Sequence, residues 1–174
     1  MADNKIIYGN TSSVKTSILE RMKEYIDNIY APGSFIPTEI SEMMKEVTID
    51  TNKEVAVFID RKNRVLAMAL GDDRSVPLPE LEGKRSNLRL CGIRCIHTHP
   101  NGGVRPSDVD IQSLKSMRYD AMVVIGVDVT QKIATGVSAT VLTRNETGLL
   151  LNYELRGPYS YWKKHNLDSV FEEI

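Results

Sequence analysis

From Val14 onward, apolar residues recur at three- and four-residue steps: Val14, Ile18, Met22, Tyr25, Ile26 and Ile29. That is the period of an amphipathic helix, and it predicts one from Val14 to Tyr30 with Ser12 or Ser13 able to cap its start. The stretch APGSFIP stops it. A second helix is predicted from about Thr38 to Val47, with Ile40, Met43, Met44 and Val47 along one side. The period then changes. EVAVFID and RVLAMALG are short, apolar and rich in β-branched residues, and the polar RKN between them predicts a hairpin.

Residues 72–89 are polar and contain Pro77, Pro79 and Gly83, which predicts a loop. Lys84, Arg85, Arg89 and, just beyond, Arg94 make it basic. Such a run is either a solvated rim or a surface that meets an acidic partner or a nucleic-acid backbone. LCGIRCIHTH reads as a strand and Ser107 to Met117 as a helix. DAMVVIGVD is almost continuously apolar, the pattern of a strand buried on both faces. KIATGVSATVLT and GLLLNYELRG read as further strands, and the tail YSYWKKHNLDSVFEEI as a helix that ends without a stop signal, as in a chain cut from a longer one. Helices precede and interrupt the strands, so the economical architecture is an α/β or α+β layered domain, one mixed sheet flanked by helices.

With 174 residues the chain has room for one ordinary domain with a real core. A formal net charge of −1 offers no global case for nucleic-acid or membrane binding. No apolar run approaches the roughly 18 residues that span a bilayer, and MADNKIIYGN has no signal-peptide segment. The expected location is the cytoplasm. Cys91 and Cys95, if both lie on one strand, are roughly 13 Å apart at Cα, too far for a disulfide. Free thiols agree with a reducing compartment.

Two of the chain's three histidines stand one residue apart, in IRCIHTHPNGGVRPSDVD. Residues two apart on a strand share a face, so His97 and His99 present both imidazoles to one side at the strand's end. Proline and glycines then turn the chain toward Ser107, the first residue of the next helix, and Asp110 in its first turn can point back. Two histidines and a carboxylate leave one tetrahedral position open, the layout of a catalytic zinc site, where water becomes a nucleophile near neutral pH. The proton acceptor such a site needs is best sought in Glu54, which opens the strand EVAVFID; Asp50 and Glu46 are rivals. Ser-x-x-Asp is equally a capping box, and a strand running through a Pro-Gly loop into a well-capped helix accounts for much of the same sequence.

His97, His99, Ser107 and Asp110 at this spacing, preceded by Glu54 on a strand, resemble the JAMM (MPN-plus) signature of zinc isopeptidases and metalloproteases. The likeness covers roughly Glu54 to Val127. It implies a cytidine-deaminase-like α/β fold, Zn2+ held by His97, His99 and Asp110, Glu54 as general base and acid, and Ser107 as a stabiliser of the oxyanion. IYGN, LPELEGKRSNLRLCGIRCIHTHPNG and SLKSMRYDAMVVIGV also resemble the N-terminal extension of certain bacterial HflX-type GTPases. That likeness implies a parent protein that binds ribosomes and hydrolyses GTP, and partners in an attached GTPase domain and the ribosome. The chain itself has no G-x-x-x-x-G-K-[ST] loop and is expected to have no GTPase activity.

The expected organisation is a single JAMM-like domain over 1–174. Residues 1–50 would supply N-terminal helices, 54–155 the sheet core with the metal motif, and 156–174 a helical tail or linker toward a missing domain. The expected function is zinc-dependent hydrolysis of peptide or isopeptide bonds. The alternative is a non-catalytic module that regulates or docks the GTPase or ribosome through the basic loop. A third reading is a metal-free structural domain in which the two histidines order the loop. The peptide or protein substrate is not legible from sequence.

Overall fold

The computed structural model describes residues 5–31, 35–71, 91–144 and 150–157, with backbone alone from 141 onward. The element order is β1 (Ile7–Gly9), α1 (Thr16–Lys23), α2 (Thr38–Thr51), β2 (Val55–Asp60), β3 (Val65–Leu70), β4 (Ile93–His99), α3 (Asp108–Met117), β5 (Ala121–Asp128), β6 (Ile133–Arg144) and β7 (Leu150–Gly157). The strands form one mixed sheet in the order β1-β3-β2-β4-β5-β6-β7. β1–β3 and β4–β5 are parallel; the other neighbours are antiparallel. The fold is mixed α/β, as the sequence pattern implies.

Alternation along the strands sorts two apolar layers. Val55, Val57, Ile59, Ile96, Val123 and Ile125 face a core closed by Met22 of α1 and by Ile40, Met43, Met44 and Val47 of α2. The opposite face carries Ala56, Phe58, Cys95 and Met122, packed with Leu114 of α3 and Tyr119. β5 is buried along nearly all its length because helices cover both sides. β4, α3 and β5 form a βαβ unit. Parallel neighbours need such a crossover, and it brings the start of α3 to the carboxyl end of β4.

Several expectations change. The first helix ends at Lys23, not Tyr30. The chain leaves it because Asp27 N and Tyr30 N bond to Val65 O and Asn63 O of the hairpin, and Asp27 takes a left-handed φ of 70°. Ile29, counted in the apolar stripe, is exposed as a result. Neither Ser12 nor Ser13 caps the helix; Lys15 stands at the cap without a side-chain bond, and Ser12 bonds Asn10. The second helix runs on to Thr51, closed by Asn52 in the left-handed region. β1 was not anticipated, and its pairing with β3 draws the N-terminal segment into the sheet.

Arg94 is not part of a solvated rim. It is 4% exposed, donates to Asn63 Oδ1 at 2.6 Å and lies over the Phe35 ring at 5.2 Å. Alternation puts it on the face of Ile96, under the α1/α2 layer. Lys84, Arg85 and Arg89, and the tail 158–174, lie outside the described residues. Cys95 is buried and Cys91 half-buried, and both are free thiols; burial pushes both thiols up, which keeps them protonated and unreactive.

Candidate metal centre

His97 and His99 leave β4 on the same side, as a period of two requires. Their Nε2 atoms stand 3.1 Å apart. Asp110 reaches back from the first turn of α3, with Oδ2 at 3.2 Å from His97 Nε2 and 3.6 Å from His99 Nε2. For a tetrahedral ion with bonds near 2.0–2.1 Å, ligand atoms are separated by about 3.3 Å. The three observed edges bracket that value, so the donor set fits a single ion of zinc's size. The three residues are the group among the described residues able to hold a metal.

Ser107 and Asp110 also form a complete capping box. Asp110 N donates to Ser107 Oγ at 3.1 Å, and Ser107 N donates to Asp110 Oδ2 at 2.7 Å. The helix begins at Asp108, with Ser107 its cap rather than its first residue. Capping, read from sequence as competing with ligation, leaves the carboxylate able to do both. A carboxylate oxygen has two lone-pair directions: one takes the Ser107 amide and the other is open to an ion. The cap thereby orients the ligand, as outer-shell partners do at metal sites.

Glu54 precedes β2. The last β2–β4 pair sets Ala56 opposite His97, so Glu54, two residues earlier, stands on the same face beside His99. Its Oε1 is 3.9 Å from His99 Nε2. The two rival acids are elsewhere: Glu46 pairs with Arg21 on the outer face of α2, and Asp50 is exposed. Glu54, His99 and Ser107 line an open cleft of about 690 Å³, walled by the Pro100–Arg105 loop. Ser107 Oγ accepts within its cap and keeps its own proton to donate into that space.

The electrostatics follow from this crowding. Burial works to raise the Asp110 carboxyl, but hydrogen bonds from both imidazoles and the Ser107 amide hold it well below the usual carboxylate range. Burial pushes the His99 imidazole down, yet Asp110, Glu54 and the Gly103 carbonyl outweigh it and raise it overall. His97 Nδ1 is buried without a hydrogen-bond partner, while the ring's Nε2 faces the cluster. Concentrated negative charge around two lone-pair nitrogens is what a divalent cation neutralises.

Some of the machinery was not read from sequence. Gly126 is the β5 partner of His99. A Cβ there would lie 2.6 Å from Gly102 O, 2.9 Å from Val104 Cγ1 and in collision with Thr135 Oγ1. Its bareness lets the loop lie flat on β5, where Thr135 Oγ1 donates to Gly102 O at 2.6 Å and Ser138 Oγ donates to Val104 O. A glycine inside an apolar strand is the signal that marks such a close approach.

No family model, curated protein or solved structure matches the chain. Among the described residues no helix is long and apolar enough to cross a membrane.

Proposed function

We propose that the chain is a zinc-dependent hydrolase of amide bonds, peptide or isopeptide, of the JAMM type and with that family's cytidine-deaminase-like arrangement of sheet and helices. One observation carries the reading: His97, His99 and Asp110, from two elements, bring their ligand atoms within 4.8 Å of one another at a cleft that Glu54 also lines. Zinc, when bound, supplies Lewis acidity that activates water and polarises the scissile carbonyl.

The chain's own residues do the rest. His97, His99 and Asp110 are the ligands. Glu54, close to His99 but outside the ligand triangle, takes the proton of the attacking water and delivers it to the departing amine. Ser107 donates its hydroxyl proton toward the oxygen on which negative charge develops. The open cleft admits an extended segment of polypeptide across this row of groups. By its sequence resemblance to HflX extensions, such a hydrolase would stand ahead of a GTPase in a ribosome-associated protein.

Elemental analysis of protein purified without chelator or histidine tag should find about one zinc per chain, and His99→Ala should lose it. Glu54→Gln should keep the metal and lose cleavage of a peptide library by a hundredfold or more, about the upper range for a general base. Zinc-free protein, or full cleavage by Glu54→Gln, would refute the proposal.

A further inference from the structure

We infer that Thr98, the residue between the two histidines, is a positioning residue that aims Glu54 at the metal cluster through a buried hydroxyl pair with Thr48. This rests on the hydrolase reading above, and the experiment below separates the two.

Thr98 faces away from His97 and His99 by strand alternation. It is fully buried, as is Thr48 of α2, and their Oγ1 atoms are 2.6 Å apart. The same Thr98 oxygen accepts from Val55 N at 2.9 Å. The backbone ladder between β2 and β4 stops at Ala56 and His97, so a side chain takes over where the ladder ends. Val55 N belongs to the peptide unit that joins Glu54 to Val55. The other end of that unit, Glu54 O, accepts from Gly71 N at 3.1 Å. Both polar groups of this one peptide plane are therefore held, one from β4 and one from the end of β3.

Thr48 completes the frame. Its carbonyl accepts from Asn52 N at 2.8 Å, closing α2 two residues before Glu54, while its hydroxyl holds Thr98. A hydroxyl has one proton and two lone-pair sites, so Thr98 can serve Val55 and Thr48 at once, whereas valine of the same shape can serve neither. The arrangement couples the proton-handling carboxylate to the histidine strand by hydrogen bonds that a slip of β2 would break. Without them the Glu54 backbone loses its register relative to His99, and a displacement near 1 Å at such a group costs about a hundredfold in rate.

The test is NMR of the full chain with zinc as the probe, following the Glu54 carboxyl carbon and the two imidazoles in wild type, Thr98→Val and Thr98→Ser. In wild type and Thr98→Ser, zinc should shift both the imidazole and Glu54 signals. In Thr98→Val the imidazoles should still respond, with zinc affinity within about threefold of wild type because the ligands are untouched, while the Glu54 response is lost. A Glu54 response in Thr98→Val equal to wild type overturns the inference, as does a serine variant that behaves like valine. Should Thr98→Val fail to fold, Thr48→Val carries the same test, and an undiminished Glu54 response there overturns it. Wild-type imidazoles that ignore zinc would overturn the metal reading itself, whatever Thr98 does.

Discussion

His99 feels opposing influences: burial pushes its imidazole down, and the carboxylates of Asp110 and Glu54 with the Gly103 carbonyl pull it up and win. Asp110 moves the other way: burial works to raise it, and the two imidazoles with the Ser107 amide hold it low. In metal-free protein the signs follow. A His pKa raised above its unfolded value, about 6.5, contributes stability below that pH and loses it as pH rises through the folded value. Asp110 contributes above its unfolded value, about 3.9, and loses that as pH falls through its depressed one. Chelator-treated protein should therefore lose thermal stability on going from pH 6 to pH 9, and zinc-loaded protein should not. Zinc uptake needs an unprotonated imidazole, so titration calorimetry should show affinity weakening as pH drops below the raised His99 value. Uptake unchanged between pH 8 and pH 5 would contradict this.

Elements set the aim of these side chains. The capping box ties ligand geometry to the start of α3. Ser107→Ala should cost about 1 kcal/mol in denaturant unfolding while zinc affinity holds, because the Ser107 amide that bonds Asp110 Oδ2 belongs to the backbone and survives the change. A tenfold or greater loss of zinc affinity would show that the hydroxyl bonded to Asp110 N also sets the aim of the carboxylate. The loop clasp on β5 offers a second case. Gly126→Ala puts a methyl against Gly102 O and Thr135, and overpacking of this kind costs about 1–3 kcal/mol. It should lift the Pro100–Arg105 wall of the cleft, detectable as faster amide exchange at Gly102 and Gly103. Thr135→Val, which removes a single hydrogen bond to Gly102 O, should cost only about 1 kcal/mol.

At the scale of the molecule, the candidate ligands bridge a strand and the helix that follows it, so an ion that bound only the folded form would stabilise the whole. At a hundredfold excess over its Kd, zinc should add about 2.7 kcal/mol. For a chain of this size that is a rise of roughly 5–10 °C in Tm. The same zinc should leave the Tm of His97→Ala unmoved, and a shift equal to wild type would place the ion elsewhere. Away from Thr48 and Thr98, the α1/α2 layer packs on the sheet face opposite the candidate ligands. Arg94 is buried there, bonded to Asn63 and stacked on Phe35, so Arg94→Ala should lower stability without altering zinc affinity.

Much of this was legible in local pattern, and the reason is periodicity. Alternation fixes which residues share a strand face, so the joint presentation of His97 and His99 follows from their spacing, and the apolar run of β5 follows from being covered twice. Capping chemistry is equally local, which is why Ser107 and Asp110 could be placed at the start of a helix. Long-range hydrogen bonding was not legible. The early end of α1 depends on backbone groups of a hairpin some 35 residues away in the chain. Arg94 looks like a surface cation until Asn63 and Phe35 close around it. Thr98 and Gly126 are ordinary strand residues in one dimension and acquire roles only when α2 and the loop pack against them. Sequence alone determined most of the elements, the pairing of imidazoles and the candidate ligands, because those are properties of neighbouring residues. Only tertiary packing decided that Asp110 reaches both imidazoles, that Glu54 and not Glu46 or Asp50 stands beside them, and that the capping carboxylate is free to serve as a ligand, because each of these depends on the register between strands and the crossing of a helix over a sheet.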